Sequence, residues 1–380
     1  MSKQLCASGI FGLACAVACG SSSSSPVAGD GDSTSSADAP TVSGSGSSSG
    51  LGSNGSLSST STSGFSGSAS STRAGSRTSS GSTSNTPVVA GDGGTGCPAL
   101  AGADAAYARW PMPNPASLGL PNPASYTDLG DGTVQDNVTG LVWQKAVTTS
   151  QAYAWADAQT YCSALTLAGR TWHLPTRIEL LSIVDFTHTP AVNATAFPDT
   201  PGGKYHWTST PWVVSQITTK PQDAWMVNFS DGGLDSNAAA QTAVEYARCV
   251  ASPAATPLPS PHYVEVSPGE IQDVETGLVW AQASALTAVS QSAAESTCTA
   301  LALNGHTWRL PSINELSTLV DDNPNIAKVS PAIDQCVFAD TPANAYYMSS
   351  SAIGGAAWAL NYEDGFTSHS QTTGAVRCVR

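Results

Sequence analysis

The sequence has few charged side chains, and most of them are acidic. Only 11% of its 380 residues are charged, and 28 acidic residues against 14 basic ones give a formal net charge of -14. It contains no cluster of Lys and Arg and no basic helix. Because an anionic surface repels phosphate backbones and anionic lipids, we expect neither nucleic acid nor an anionic membrane surface as a partner.

Long apolar runs are also missing. A transmembrane helix needs about 20 apolar residues, and no segment approaches that length. The short run 10–18 follows Lys3 and precedes small residues, as in a secretory signal, and AVAC ending at Cys19 is similar to a bacterial lipobox. We therefore predict a lipoprotein signal peptide at 1–19 and lipidation of Cys19, with simple cleavage and release as the alternative. The lipid would be the only membrane attachment, in the bacterial cell envelope at the outer membrane or cell surface.

The chain has no CxxC pair and no Cys/His cluster, so we expect no structural zinc and no metal site of that kind. Two of its nine cysteines lie in the signal and Cys19 would carry the lipid, which leaves six. An even number of cysteines in an exported chain is typical of a disulfide framework.

Large apolar side chains are almost absent from 20–96, which consists mainly of Ser, Gly and Thr. Such a composition cannot bury enough surface to fold. We predict a disordered linker that holds the following domains away from the membrane.

After this linker the sequence repeats itself. DNVTGLVW, ending at Trp143, returns as DVETGLVW, ending at Trp280, and GRTWHLPTRIEL returns as GHTWRLPSINEL. AWMVNFSDG and AWALNYEDG follow in the same order, and ARCV and VRCV close the two copies. A period this long indicates duplicated domains and not a solenoid, whose repeats span roughly 20–50 residues. We place repeat 1 at 97–252 and repeat 2 at 253–380.

Each repeat has the pattern of a mixed α+β domain with two helices and an antiparallel sheet. The DxxTG turn leads into a strand, and Cys162 lies on the apolar face of the helix that follows. The pairs Thr176/Glu179 and Ser312/Glu315 have the spacing of a capping box and predict the start of the second helix. The motif tryptophans are predicted to be core residues: Trp143, Trp172, Trp280 and Trp308.

Six cysteines permit fifteen sets of pairs. The duplication favours bonds at equivalent positions, which gives Cys162–Cys249 and Cys298–Cys378. Cys97 and Cys336 remain, and a bond between them would connect the start of repeat 1 to repeat 2.

The repeated motifs resemble the Lcl C-terminal domain family, a domain of unknown function in bacterial surface proteins. The matching motifs include WHLPTRIELLSIVD, AWMVNFSDG and the closing RCV, and they cover most of 120–380. The resemblance implies a C-type-lectin-like fold with a binding surface on its long loops. Adhesion and binding of sulfated polysaccharides through a basic surface are associated with the family, but from residue 100 onward this chain has 24 acidic and 11 basic residues. This acidic balance weakens the case for sulfated glycans, so we expect glycan or protein ligands and give neutral glycans and proteins equal weight with sulfated ones.

Loop aromatics suit stacking on sugar faces or on other side chains, and they coincide with clusters of amides and carboxylates. The oxygen clusters could also hold calcium, although a turn with solvated acids is the favoured interpretation and we predict no cofactor. The candidate ligand-binding residues are His206, Trp207, Trp212, Asn228, Asp231, Tyr346, Tyr347, Asn361, Glu363 and Asp364.

No catalytic pattern recurs in both repeats, and none of the six histidines occupies equivalent positions. We expect a binding protein and not an enzyme. The alternatives are an envelope scaffold that contacts another protein, and an enzyme related to the formylglycine-generating oxidases, which share the lectin-like fold. The sequence does not determine the oligomeric state.

Overall fold

The computed structural model describes residues 88–89, 107–212, 223–237, 243–253, 261–322 and 330–380. The predicted signal peptide, Cys19, Cys97 and the predicted linker lie outside these residues, apart from Val88–Val89, which form strand β1. Within the described part of the chain, no helix combines the length and apolar character needed to cross a bilayer.

Repeat 1 contains two sheets and two helices. Its elements are β2 (Tyr126–Asp128), β3 (Thr133–Asp136), β4 (Val142–Gln144), α1 (Trp155–Ala164), α2 (Arg177–Leu181), β5 (Tyr205–Trp212), β6 (Asp223–Asn228), β7 (Leu234–Asn237) and β8 (Val250–Ala251). The strand orders are β2-β3-β4-β8 and β5-β6-β7, and all neighbours are antiparallel.

The described part of repeat 2 also contains two sheets and two α-helices. Its elements are β9 (Tyr263–Ser267), β10 (Glu270–Asp273), β11 (Val279–Ala281), β12 (Ala285–Val289), α3 (Gln291–Thr299), α4 (Ile313–Ser317), β13 (Tyr346–Ile353), β14 (Ala356–Asn361), β15 (Thr367–Ser368) and β16 (Gly374–Val376). The strand orders are β1-β9-β10-β11 and β12-β16-β13-β14-β15, antiparallel apart from β13 with β16. The predicted α+β class with two helices per repeat is confirmed.

Local sequence explains the turns and the helix starts. The Asp136 carboxylate accepts a hydrogen bond from the Val138 amide at 2.9 Å, and Gly140 closes the turn at a φ of 75°. The capping boxes at Thr176/Glu179 and Ser312/Glu315 are both present, so each second helix begins where the sequence predicted.

Two disulfides bond the first helix of each repeat to its closing segment. They are Cys162–Cys249 and Cys298–Cys378, as predicted. Cys336 is also disulfide-bonded. The four motif tryptophans are at most 2% exposed, which confirms their assignment to the core.

The two repeats share a hydrophobic core, which the sequence did not predict. Val184 and Phe186 of repeat 1 belong to the same buried cluster as Leu316 and Trp358 of repeat 2. The Trp358 Nε1 donates to the Phe186 carbonyl at 2.9 Å, and the Phe186 and Trp358 rings meet edge to face at 5.1 Å. The repeats therefore pack as one body.

Strand β1 and the first described residues of repeat 1 pack on repeat 2. Val88 and Val89 pair with Glu265 and Val264 of β9, and the Tyr107 ring stacks on His262 at 4.8 Å. Strand β1 falls in the segment 20–96 that the sequence analysis assigned to the linker.

Candidate functional site

Equivalent turns follow the tryptophan-bearing strands β6 and β14. In repeat 1 the Asn228 Oδ1 accepts from the Ser230 amide at 2.9 Å, and the Asp231 Oδ1 accepts from the Gly233 amide at 2.9 Å. In repeat 2 the Asp364 Oδ1 accepts from the Phe366 amide at 3.0 Å. The turns therefore hold each aspartate through one oxygen and leave the second oxygen for other contacts.

The second oxygen of each aspartate contacts the other repeat. The Trp212 Nε1 donates to the Asp364 Oδ2 at 3.1 Å, and the His369 Nε2 lies 3.5 Å from the Asp231 Oδ2. Two contacts thus join the repeats, Trp212 with Asp364 and His369 with Asp231. We call Trp212, Asp231, Asp364, Phe366 and His369 together the seam. It unites side chains that are far apart in sequence and belong to both repeats.

Buried tryptophans form the floor of the seam. The Trp212 and Phe366 rings lie 6.3 Å and 6.5 Å from the Trp225 ring, and the His369 ring lies 4.7 Å from the Trp358 ring. Trp225 and Trp358 are buried, whereas the Asp231 and His369 side chains are 36% and 43% exposed. The seam therefore presents partly exposed rings and carboxylates on a rigid base.

A buried ion pair lies near this floor. The Arg177 Nε donates to both Asp322 oxygens at 2.8 and 3.0 Å, and its Nη1 donates to the Gly365 carbonyl at 3.3 Å. Burial raises the pKa of Asp322 even though the Arg177 charge opposes that shift. Gly365 has a φ of 87°, and a Cβ there would lie 2.8 Å from a Val320 methyl and 3.4 Å from the guanidinium. Both the turn and this close approach require glycine.

The sequence model of the Lcl C-terminal domain matches residues 132–251 and again residues 269–380. This chain belongs to the Lcl C-terminal domain family. No curated protein and no solved structure matches it. The two Lcl C-terminal domains coincide with the two repeats, and the seam lies between them. The C-type-lectin-like fold implied by the resemblance stays a prediction.

Three candidate residues are inside the Lcl C-terminal domains and not on their loops. His206, Trp207 and Tyr347 are each 0% exposed, so their rings are not available to stack on a ligand. They lie on β5 and β13, whose inward positions face the core. The Trp207 Nε1 donates to the Tyr153 carbonyl at 2.8 Å, and burial lowers the pKa of His206 well below its usual value.

The remaining candidates keep some exposure or serve a turn. Tyr346 is partly buried and is paired with Asn361 across β13 and β14. The Asn361 side chain is 9% exposed and accepts from the Glu363 amide at 2.7 Å, while Glu363 itself is exposed. Of the ten candidates, Trp212, Asp231 and Asp364 are the ones that the structure brings together at the seam.

The predicted oxygen clusters lie in the turns after β6 and β14, in the part of the chain that the structure describes. No group of three or more His, Cys, Asp or Glu side chains there is arranged to hold a metal ion. The turn asparagines and aspartates instead accept hydrogen bonds from amides of their own turns, as the favoured interpretation of these turns expected.

One cluster outside the seam has the residue types of a catalytic triad. The Glu179 carboxylate accepts from the Ser252 hydroxyl at 2.6 Å and lies 3.1 Å from the His173 Nε2, which is itself 3.4 Å from the Ser252 oxygen. Both neighbours meet the same ring nitrogen, so the imidazole cannot relay a proton from serine to carboxylate through its two nitrogens. In repeat 2, Arg309 takes the histidine's place beside Glu315 at 2.7 Å. The arrangement in both repeats is that of a cation beside the capping-box glutamate.

Proposed function

We propose that this chain is an exported, lipid-anchored binding protein of the bacterial cell envelope, and that the seam between its two Lcl C-terminal domains recognises a neutral glycan or a protein ligand. The observation that carries the proposal is the convergence of Trp212 and Asp231 from one repeat with Asp364 and His369 from the other. In each contact, a predicted binding residue of one repeat touches a side chain of the other repeat.

The seam has the chemistry of a recognition surface. Ring faces and edges bind sugar C–H groups or apolar side chains, and carboxylates accept hydrogen bonds from hydroxyl or amide groups. The base needs little ordering on binding, because the turns, the shared core and the disulfides already hold it. The acidic balance of the folded region disfavours sulfated ligands.

In this proposal no bond is made or broken, and the linker displays the seam away from the membrane. The acylated Cys19 would anchor the chain. In cell fractionation, we expect a Cys19→Ala variant to lose its membrane association while its folded region is unchanged.

Binding of the full chain to an array of neutral glycans, and photo-crosslinking from position 212 on intact cells, test the seam. We expect Trp212→Ala to weaken binding at least about tenfold, as for a partly buried aromatic contact, and Trp212→Phe to retain more of it. Leu286→Ala is the matched control, since Leu286 is a large apolar residue 52% exposed outside the seam. Binding unchanged in Trp212→Ala, or no ligand with either probe, would overturn the proposal.

A further inference from the structure

Repeat 1 contains a cavity that does not use any seam side chain. Its volume is about 120 Å³, and its walls include Asn114, Tyr126, Val184, Asp185 and Asn193. Asn193 is exposed, so the cavity opens to solvent, while Val184 is buried and supplies an apolar wall.

The duplication identifies the equivalent place in repeat 2. Tyr126 pairs with the turn residue Asp136, and Tyr263 pairs with the turn residue Asp273. Each tyrosine also meets a phenylalanine edge to face: the Tyr126 ring is 5.3 Å from Phe197, and the Tyr263 ring is 5.4 Å from Phe338. Tyr126 and Tyr263 therefore mark the same position in the two domains.

In repeat 2 this place is filled by a tyrosine from outside the domain. The Tyr107 ring is 5% exposed and lies 5.7 Å from Tyr263, in an edge-to-face contact. Burial, followed by the charges of Asp321 and Asp334, raises the pKa of Tyr107 well above its usual value. By the repeat alignment, these two aspartates correspond to Asp185 and Asn193, which line the cavity of repeat 1.

A strand accompanies that tyrosine. Strand β1, also from outside the domain, pairs with β9, which is the strand that carries Tyr263. The equivalent strand of repeat 1, β2, is the outer strand of its sheet and pairs with β3 alone among the described strands. An open strand edge is a template for an added strand.

Asn114 supplies an independent observation. This residue is 0% exposed, and its Nδ2 donates to the Pro121 carbonyl and to Glu315. Its Oδ1 is buried and has no hydrogen-bond donor in the described part of the chain. A buried acceptor without a donor is costly, unless a bound group supplies the missing hydrogen bond.

We propose that the cavity of repeat 1 is a docking site for the tyrosine side chain of a partner protein, whose extended segment adds a strand to the β2 edge. The partner segment would contact repeat 1 in the way that β1 and Tyr107 contact repeat 2 within this chain. The cavity volume of about 120 Å³ is of the same order as the roughly 150 Å³ of a cavity that binds benzene, and Asp185 and Asn114 offer acceptors for a phenol hydroxyl. The seam takes no part, so this proposal and the proposed function fail or hold separately.

The simplest probe is p-cresol, the side chain of tyrosine, titrated into the full chain and followed by ligand-observed NMR. We expect one site with a Kd of about 1 mM, a usual strength for one small ring. Ala124→Phe fills the cavity from its wall and should weaken binding at least about tenfold. Ala124→Leu, a smaller change, serves if the first variant does not fold. No cresol binding, or the same Kd in the cavity variants, overturns the proposal.

Two further experiments test separately whether the two sites are equivalent and whether a protein segment docks in the cavity. Tyr107→Ala should create a second cresol site, because it empties the equivalent place in repeat 2, and an unchanged stoichiometry would contradict the equivalence. Peptides that carry two β-branched residues and a tyrosine at the spacing of Val88, Val89 and Tyr107 should displace cresol, whereas the same peptides with alanine in place of tyrosine should not. Cresol binding without displacement by any tyrosine peptide would contradict docking of a protein segment.

Discussion

The ion pair between Arg177 and Asp322 allows a sharp test of how the two repeats are held together. Their side chains are 0% and 6% exposed, and both hydrogen bonds of the pair cross between the repeats. Breaking a buried pair from one side leaves an uncompensated charge, which costs about 3 to 5 kcal/mol. We therefore expect Arg177→Ile or Asp322→Phe alone to lower the free energy of unfolding by that amount.

The duplication supplies the matched control. By the repeat alignment Ile313 is the counterpart of Arg177, and Phe186 is the counterpart of Asp322, and both counterparts are 0% exposed. One half of the interface thus uses an ion pair where the other uses apolar residues. Exchange of both partners, in Arg177→Ile with Asp322→Phe, should leave stability within about 2 kcal/mol of the wild type, because apolar replacements of buried pairs are tolerated.

Urea unfolding of the four proteins measures the coupling as a double-mutant cycle, and we expect at least about 3 kcal/mol. The deficit of Arg177→Ile should also shrink from pH 7 to pH 5. Burial already raises the pKa of Asp322, so the unpaired carboxyl takes up a proton and the native state gains stability as the pH falls. Additive single changes below about 1 kcal/mol each would refute the buried pair.

Three further predictions follow from the local structure. The hydrogen bond and the charge of Glu179 outweigh burial and raise the pKa of His173. The ion pair therefore stabilises the fold fully below the ordinary histidine pKa. This stabilisation is lost as the pH rises through the raised pKa of His173. The expected loss is about 0.5 kcal/mol, because the His173 side chain is 42% exposed. His173→Arg should remove this loss in thermal melts between pH 6 and pH 9. A pH profile of stability that is the same in the variant and the wild type would contradict this prediction. Replacing Cys162 and Cys249 by alanine opens a loop with a sequence separation of 87. By the chain-entropy model this should lower the free energy of unfolding by roughly 4 to 5 kcal/mol. A decrease under about 1 kcal/mol in urea unfolding would show that the disulfide contributes little to stability. Ala168 has a φ of 52°, in a backbone region that asparagine tolerates better than alanine. Ala168→Asn should therefore raise the free energy of unfolding by about 0.5 kcal/mol. A lower melting temperature in the variant would refute that reasoning.

The elements that the sequence predicted well are those whose signals are local. A capping box needs residues three positions apart, and Thr176/Glu179 and Ser312/Glu315 both form. The disulfides were predictable because the duplication tied each helix cysteine to a closing cysteine.

The seam and the shared core depend on how two copies pack, and no local pattern encodes that packing. Arg177 at the first position of α2 could equally well have been a solvated residue in a helix start. One signal was present: among the differences between the repeats, Arg177 stands where the other copy has an isoleucine, and Asp322 stands where the other copy has a phenylalanine. Charges that replace apolar residues in one copy alone indicate that the two copies have different neighbours.

His206, Trp207 and Tyr347 were misplaced because aromatic side chains in a loop and in a buried strand look alike in sequence. His206 and Trp207 directly follow a polar, glycine-containing segment, which suggested a loop. In the structure they begin a long strand that is covered on its inner side.

The central claim is that the seam recognises a ligand, and the most direct measurement is equilibrium binding of the wild type and Trp212→Ala to the same neutral-glycan array. The account predicts at least one bound glycan, with affinity lower by about tenfold or more in the variant. Equal binding by both proteins would contradict it.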